Sequence, residues 1–175
     1  MNAYEFGDEL VFTAPRLFGY TSVGMANPPA PKLHQWIVNL KTGKVKEKQI
    51  DDLGVDFPVV APSHVGQPIR YGYVAEFDTT GSPWVLGYHK YDFVTGGRMA
   101  HILKNGRTGS EASFIPKKNA KSEDDGYLMS FVHDPEENKS ELIILNAQQI
   151  EDDPICRIHL PVRVPAGFHG SWISD

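Results

Sequence analysis

The chain has 175 residues, 41% hydrophobic and 22% charged, with a net charge of −5. That fits one globular domain or part of one, and its sign argues against nucleic acid as a partner. The lone cysteine, Cys156, excludes an internal disulfide, the first residues carry no basic and apolar leader, and no apolar run nears the ~20 residues that span a bilayer. A cytoplasmic protein is expected, with peripheral membrane contact as the most a bilayer could have of it.

In chain order, strand signals dominate. Residues 10–12, 35–40, 70–74, 84–93, 127–132, 142–145 and 155–160 are rich in β-branched and aromatic side chains. Gly, Pro, Asn and Asp punctuate them. No stretch of a dozen residues keeps a 3.6 period without a breaker, and residues 148–151 have room for one helical turn at most. The polar stretch 117–125 reads as a surface loop. The expected fold class is therefore all-β.

An internal echo sharpens this. Trp36-Ile37-Val38-Asn39-Leu40-Lys41-Thr42-Gly43 resembles His89-Lys90-Tyr91-Asp92-Phe93-Val94-Thr95-Gly96, and Ile143-Ile144-Leu145-Asn146-Ala147 is a weaker third copy. The anchors Asn39, Asp92 and Asn146 lie 53 and 54 residues apart. Such a period in an all-β chain points to propeller blades, each with a strand that ends in an Asx turn. The competing reading is a common hairpin turn spaced by accident. At ~50 residues per blade the chain holds about three blades, short of the roughly four to eight of a closed ring. Three blades alone would leave open edges. The chain then reads as part of a larger propeller, as a piece that needs a partner, or as another fold.

The richest block for chemistry is Val164-Pro165-Ala166-Gly167-Phe168-His169-Gly170-Ser171-Trp172. A histidine among glycines can bind a metal, because glycine permits sharp turns and close approach. It can equally be an ordinary loop histidine. The other histidines, His34, His64, His89, His101, His133 and His159, show no HExxH or other close ligand spacing and read as structural or surface residues. No G-x-S-x-G or phosphate loop is present, so a simple hydrolase finds little support.

Taken together, Asn2-Ala3-Tyr4-Glu5, Leu33-His34-Gln35-Trp36, Asp56-Phe57-Pro58, Arg70-Tyr71-Gly72-Tyr73, Glu111-Ala112-Ser113-Phe114-Ile115-Pro116, Asp124-Asp125-Gly126 and Phe168-His169-Gly170 resemble, in order and spacing, the C-terminal portion of the carotenoid cleavage oxygenases (the retinal pigment epithelial membrane protein family). The resemblance covers nearly the whole of residues 1–175. It implies a seven-bladed propeller with Fe(II) on its axis, bound by four histidines, three of them held by glutamates. Its reaction would be cleavage of a carotenoid, apocarotenoid or stilbene double bond by O2. By that resemblance His169 corresponds to the fourth ligand and Glu111 to the glutamate that holds it. Asp56 stands where the family usually has another such glutamate, and is one methylene shorter. Phe168 is a candidate for the wall of the substrate tunnel, with packing inside a blade as the competing role. The other three ligands would belong to an upstream segment, and the isolated chain is expected to be inactive. The alternative is a non-catalytic propeller-like binding or structural module in which His169 is a relic.

Overall fold

The computed structural model describes residues 1–17, 30–78, 84–165, 167 and 169–173; Phe168 lies outside them. Among these residues run β1 (Asn2–Phe6), β2 (Glu9–Arg16), β3 (Lys32–Asn39), β4 (Val45–Gln49), β5 (Val55–Val59), β6 (Tyr71–Phe77), β7 (Val85–Asp92), β8 (Arg98–Ile102), β9 (Thr108–Gly109), β10 (Ser113–Pro116), β11 (Gly126–Asp134), β12 (Lys139–Asn146) and β13 (Cys156–His159). A single 3-10 turn, Pro62–His64, interrupts the strands, and no helix among the described residues is long and apolar enough to cross a membrane. The fold is all-β.

The strands form three antiparallel meanders. β1-β2-β3-β4 is a four-stranded sheet of its own; β5-β6-β7-β8 and β10-β11-β12-β13 are joined by the short β9, which pairs with β7 and with β11 to make one nine-stranded sheet. Asn39, Asp92 and Asn146 each end the third strand of a meander. Their side chains cap the turn that follows: Asn39 Oδ1 accepts from the Thr42 N–H at 2.8 Å, Asp92 Oδ1 from those of Val94 and Thr95 at 3.0 and 3.2 Å, and Asn146 Oδ1 from that of Gln148 at 3.1 Å. Gly43 and Gly96, at φ 68° and 75°, close the first two turns in a conformation that an L side chain resists. The third copy has no Thr-Gly. There Gln149 N–H bonds the Asn146 carbonyl at 3.0 Å, and residues 148–151 stay in turns rather than forming a helix.

Burial follows the stacking of the meanders. One apolar cluster, around Leu33, Val55, Val74 and Tyr91, fills the space between the first and second; a larger one, including Tyr73, Tyr88, Phe114, Leu128, Val132 and Ile143, lies between the second and third. The second meander is thus covered on both faces, so β6 and β7 read as nearly continuous buried runs. The third is covered on one face only. Along β11, Leu128, Ser130 and Val132 point inward while Tyr127, Met129 and Phe131 alternate outward, Phe131 remaining 42% exposed. The outer strand β4, Val-Lys-Glu-Lys-Gln, is exposed throughout; its charges suit an open edge but erase the apolar alternation that marks a strand.

Polar staples set the register between the second and third meanders. The Glu123 carboxylate accepts the backbone N–H groups of Arg70 and Tyr71, each at 2.9 Å. Beside it, Lys90 Nζ donates to Asp124 Oδ2 at 2.7 Å and lies 4.2 Å above the Tyr71 ring. Lys90 and Asp124 are 4% and 7% exposed, so each depends on the other to offset its desolvation. Lys90→Ala, which strands the Asp124 charge, is expected to destabilise the protein by about 3–5 kcal/mol, while the apolar pair Lys90→Met with Asp124→Leu recovers most of that loss. Denaturant unfolding of the two variants checks both values.

Candidate metal centre

The innermost strands of the second and third meanders are irregular where their carboxylates sit. In the third, Gly109 faces Val132 and Ser113 faces Met129, so four steps along one strand oppose three along the other. The extra residue is a β-bulge, which breaks the regular pairing at residues 110–112, where only the Ser110 N–H still reaches a β11 carbonyl, that of Phe131 at 3.0 Å, and it re-aims Glu111. In the second, the three steps from Asp56 to Val59 oppose two from Ala75 to Tyr73. There Phe57 takes φ 50° and its N–H donates to Asp56 Oδ1 at 2.8 Å.

Glu111 gathers the C-terminal tail. Its Oε2 accepts from His169 Nδ1–H at 3.1 Å and from the Gly170 backbone N–H at 3.1 Å. An ionised carboxylate only accepts, so the shared proton sits on Nδ1, and whenever the imidazole is neutral its Nε2 lone pair is left for another partner. The Glu111 side chain is 19% exposed, the imidazole 76%. The Phe57 ring meets the imidazole edge-on, with centroids 5.9 Å apart. Two apolar cavities of about 380 and 310 Å³ flank the tail, sharing Glu111, Phe131, Val164 and Pro165; Met129 and Trp172 line the first, Phe77 and Trp84 the second.

Asp56 belongs to the same neighbourhood without touching an imidazole. Burial pushes its carboxyl above the usual range, and the Glu111 charge acts in the same direction; its bond from Phe57 N–H, the Met1 ammonium and His169 oppose them. The sequence-expected residues Glu111 and His169 are therefore brought into contact, and Asp56 lies within their electrostatic reach. Phe168 falls outside the described residues.

The other histidines go elsewhere. His34 lies 3.0 Å from Glu47, His89 Nε2 2.6 Å from Glu76 and His159 3.7 Å from Glu141; His133 Nδ1 bonds the Lys139 carbonyl at 3.0 Å. His64 bonds Ser63 at 3.0 Å, and His101 faces the carbonyls of Ile150 and Asp152. Among the described residues no three His, Cys, Asp or Glu side chains converge on one point. One neutral imidazole, fixed by a carboxylate with Nε2 free, suits one corner of a divalent-iron site. The Gly170 amide and the Phe57 ring escape a reading of the sequence, although two signals mark the bulges that place them: Pro58 within a strand and Gly109 at a strand end.

The raised Asp56 carboxyl has a consequence for stability. A group that binds its proton more tightly in the folded protein favours folding while protonated, and that advantage falls as pH climbs from its ordinary value near ~3.9 through the raised one. Asp56→Asn keeps an acceptor for Phe57 N–H and removes the buried charge. It is expected to raise the melting temperature at pH 7 and to flatten the loss of stability expected of the parent above about pH 4. Thermal melts across that pH range measure both effects.

The family model described as retinal pigment epithelial membrane protein matches residues 1–174. A carotenoid 9,10(9',10')-cleavage dioxygenase of Crocus sativus is 34% identical over 99% of this chain and 36% of its own length. A carotenoid cleavage oxygenase of Mycobacterium tuberculosis is 33% identical over 90% of this chain and 32% of its own. The crystal structure of a cobalt-substituted Synechocystis apocarotenoid oxygenase superimposes with a TM-score of 0.90 at 25% identity, covering 99% of this chain and 38% of that one. The chain thus spans about a third of the length of the relatives it matches. With the family model matching nearly the whole chain and these relatives and this fold beside it, the chain belongs to the retinal pigment epithelial membrane protein family of carotenoid-cleaving oxygenases.

Proposed function

We propose that this chain is the C-terminal part of a non-haem Fe(II) dioxygenase. It would cleave one carbon–carbon double bond of a carotenoid, apocarotenoid or stilbene-type substrate, both atoms of O2 ending in two carbonyl products. The observation that carries the reading is the Glu111–His169 pair, set on a bulged innermost strand in a chain of this family. His169 would supply the fourth histidine ligand through Nε2, and an upstream segment the other three. Asp56 would hold one of those three, as the resemblance implies.

We further propose that the three meanders are three blades of a seven-bladed propeller. Supporting this, the second meander is packed on both faces while the outward face of the third keeps Phe131 and Ile158 42% and 45% exposed, as a blade does whose neighbour is elsewhere. The same reasoning accounts for an imidazole that is three-quarters exposed. A cytoplasmic location, with peripheral contact to a membrane that stores the apolar substrate, goes with this reading.

Bound iron would provide the open coordination positions at which dioxygen is activated. The chain's own part is mechanical and electrostatic. Glu111 keeps the proton on His169 Nδ1 and the ring in one orientation. Gly170 N–H fixes the same carboxylate oxygen from the tail side. The apolar cavities beside the tail would seat the polyene and exclude water, and no acid or base of this chain is needed to move a proton.

The 175 residues alone are expected to bind iron weakly and to cleave neither a carotenoid nor a stilbene. The full native polypeptide that carries them, or the chain with its upstream segment added separately, should hold about one iron per site and turn over. His169→Ala in that complete protein should abolish turnover. Iron content and oxygen-dependent cleavage measure this; stoichiometric iron and steady turnover by the isolated chain would refute the fragment reading.

A further inference from the structure

We propose that Tyr88 and Ser130 are positioning residues for the metal ligand His169, acting through the backbone of Glu111. The inference rests on the reading of His169 as a ligand. A bulge solves one problem and makes another: it turns Glu111 towards the tail but leaves the carbonyls of residues 110 and 111 outside the ladder, inside the molecule, where an unpaired carbonyl is costly. Side chains from two other strands meet that need. Ser130 Oγ, on β11, lies 3.1 Å from the Ser110 carbonyl and 3.2 Å from that of Glu111. Tyr88 OH, on β7, lies 2.6 Å from Ser130 Oγ and 3.0 Å from the Ser110 carbonyl. Ser110 Oγ adds a third hydroxyl, 3.1 Å from Ser130 Oγ and 3.3 Å from the Glu111 carbonyl. The two serine hydroxyls belong to the third meander, and the phenol is the member of the cluster that ties it to a strand of the neighbouring meander.

The geometry leaves little slack. Tyr88 is fully buried and Ser130 is 4% exposed. The phenol fills the space beside Gly109, where a Cβ would stand 2.2 Å from its oxygen. The bulge is thus pinned from the core side by a tyrosine of the neighbouring meander, while its outer side presents the carboxylate. His169 sits on a tail without strand structure, and the Glu111 carboxylate is what holds both its Nδ1 and the next amide. The direction of His169 Nε2 therefore depends on where the core holds Glu111. Tyr88→Phe removes the bond from β7 to the Ser110 carbonyl, leaves the two serine hydroxyls to hold both carbonyls from within the third meander, and so lets the bulge shift. A fraction of an ångström there is enough to disturb an imidazole's aim.

The test uses the full native polypeptide with Co(II) as a spectroscopic probe, in Tyr88→Phe, Ser130→Ala, Glu111→Ala and Tyr88→Phe with Glu111→Ala. Removing a group that orients a metal ligand typically costs ~10–100-fold in affinity, which is the loss expected for Glu111→Ala. Tyr88→Phe and Ser130→Ala should each weaken Co(II) binding by about 3–10-fold and shift the visible ligand-field bands, with the fold kept by circular dichroism. In the Glu111→Ala background Tyr88→Phe should have no further effect on Co(II) affinity, although it still lowers the melting temperature. A Tyr88→Phe protein that melts lower but keeps the parent's affinity and bands would overturn the proposal, as would additive affinity losses in the double variant. If the parent itself binds no Co(II), the ligand reading fails and ring nitrogen NMR of His169 decides the positioning claim separately. The Nδ1–H tautomer should dominate in the parent and give way to the Nε2–H form in Tyr88→Phe. An unchanged tautomer would overturn it.

Discussion

Face-to-face burial of the second meander is the constraint on which the rest of this structure depends. Its strands β6 and β7 lie between two apolar clusters and have no solvent face to spend on polar side chains. The largest fully buried side chains among the described residues, Tyr73 and Tyr88, are on this meander, and each places its hydroxyl on a partner of the third: Tyr73 on the Ala147 carbonyl at 2.9 Å, Tyr88 on Ser130. Burying an aromatic side chain contributes about 1.5–3 kcal/mol, and the paired hydroxyl prevents that gain from being cancelled. The two meanders therefore have a single way to sit against each other.

That fixed packing is what makes the bulges useful. A regular ladder sends side chains alternately to its two faces and cannot aim one elsewhere. One additional residue in β5 and one between β9 and β10 break the alternation at Asp56 and at Glu111. Because the meanders are locked, the two carboxylates end within electrostatic reach of each other and of the tail histidine. The conformational cost is visible at Phe57, a non-glycine residue at φ 50°, and is partly offset by the bond from its N–H to Asp56. The ring that this conformation holds is the one that meets His169 edge-on.

The motifs divide by role once placed in the fold. Glu123 and Asp124 staple the second and third meanders through Arg70, Tyr71 and Lys90, and Gly126 lies so close to the Ile115 carbonyl and the Phe114 ring that a Cβ would come within 2.6 Å of either. These residues carry the architecture. Glu111 meets His169 directly, with Asp56 in electrostatic reach of both, where the proposed chemistry would lie. The histidines on regular strands find carboxylates or carbonyls of their own, as His89 does with Glu76, and stay out of that place.

Much of this was legible in the sequence. Each of the seven apolar runs falls on a strand, give or take a residue at its ends, and the Asx turns at Asn39, Asp92 and Asn146 mark the same point in three successive meanders, because turn chemistry is local and needs only the residues that make it. The short, charged outer strand β4 was hidden, since an exposed edge imposes no apolar alternation. The contact between Glu111 and His169 came from resemblance, for no local rule links residues 58 apart. The sequence by itself determined strand and turn, and its resemblance named the groups proposed for the site. Tertiary structure alone decided that the innermost strands would bulge, that Tyr88 and Ser130 would pair the carbonyls the bulge sets free, and that Phe57 would face the imidazole. Each of these depends on atoms from different meanders competing for the same buried space, and that competition exists only once the sheets are packed.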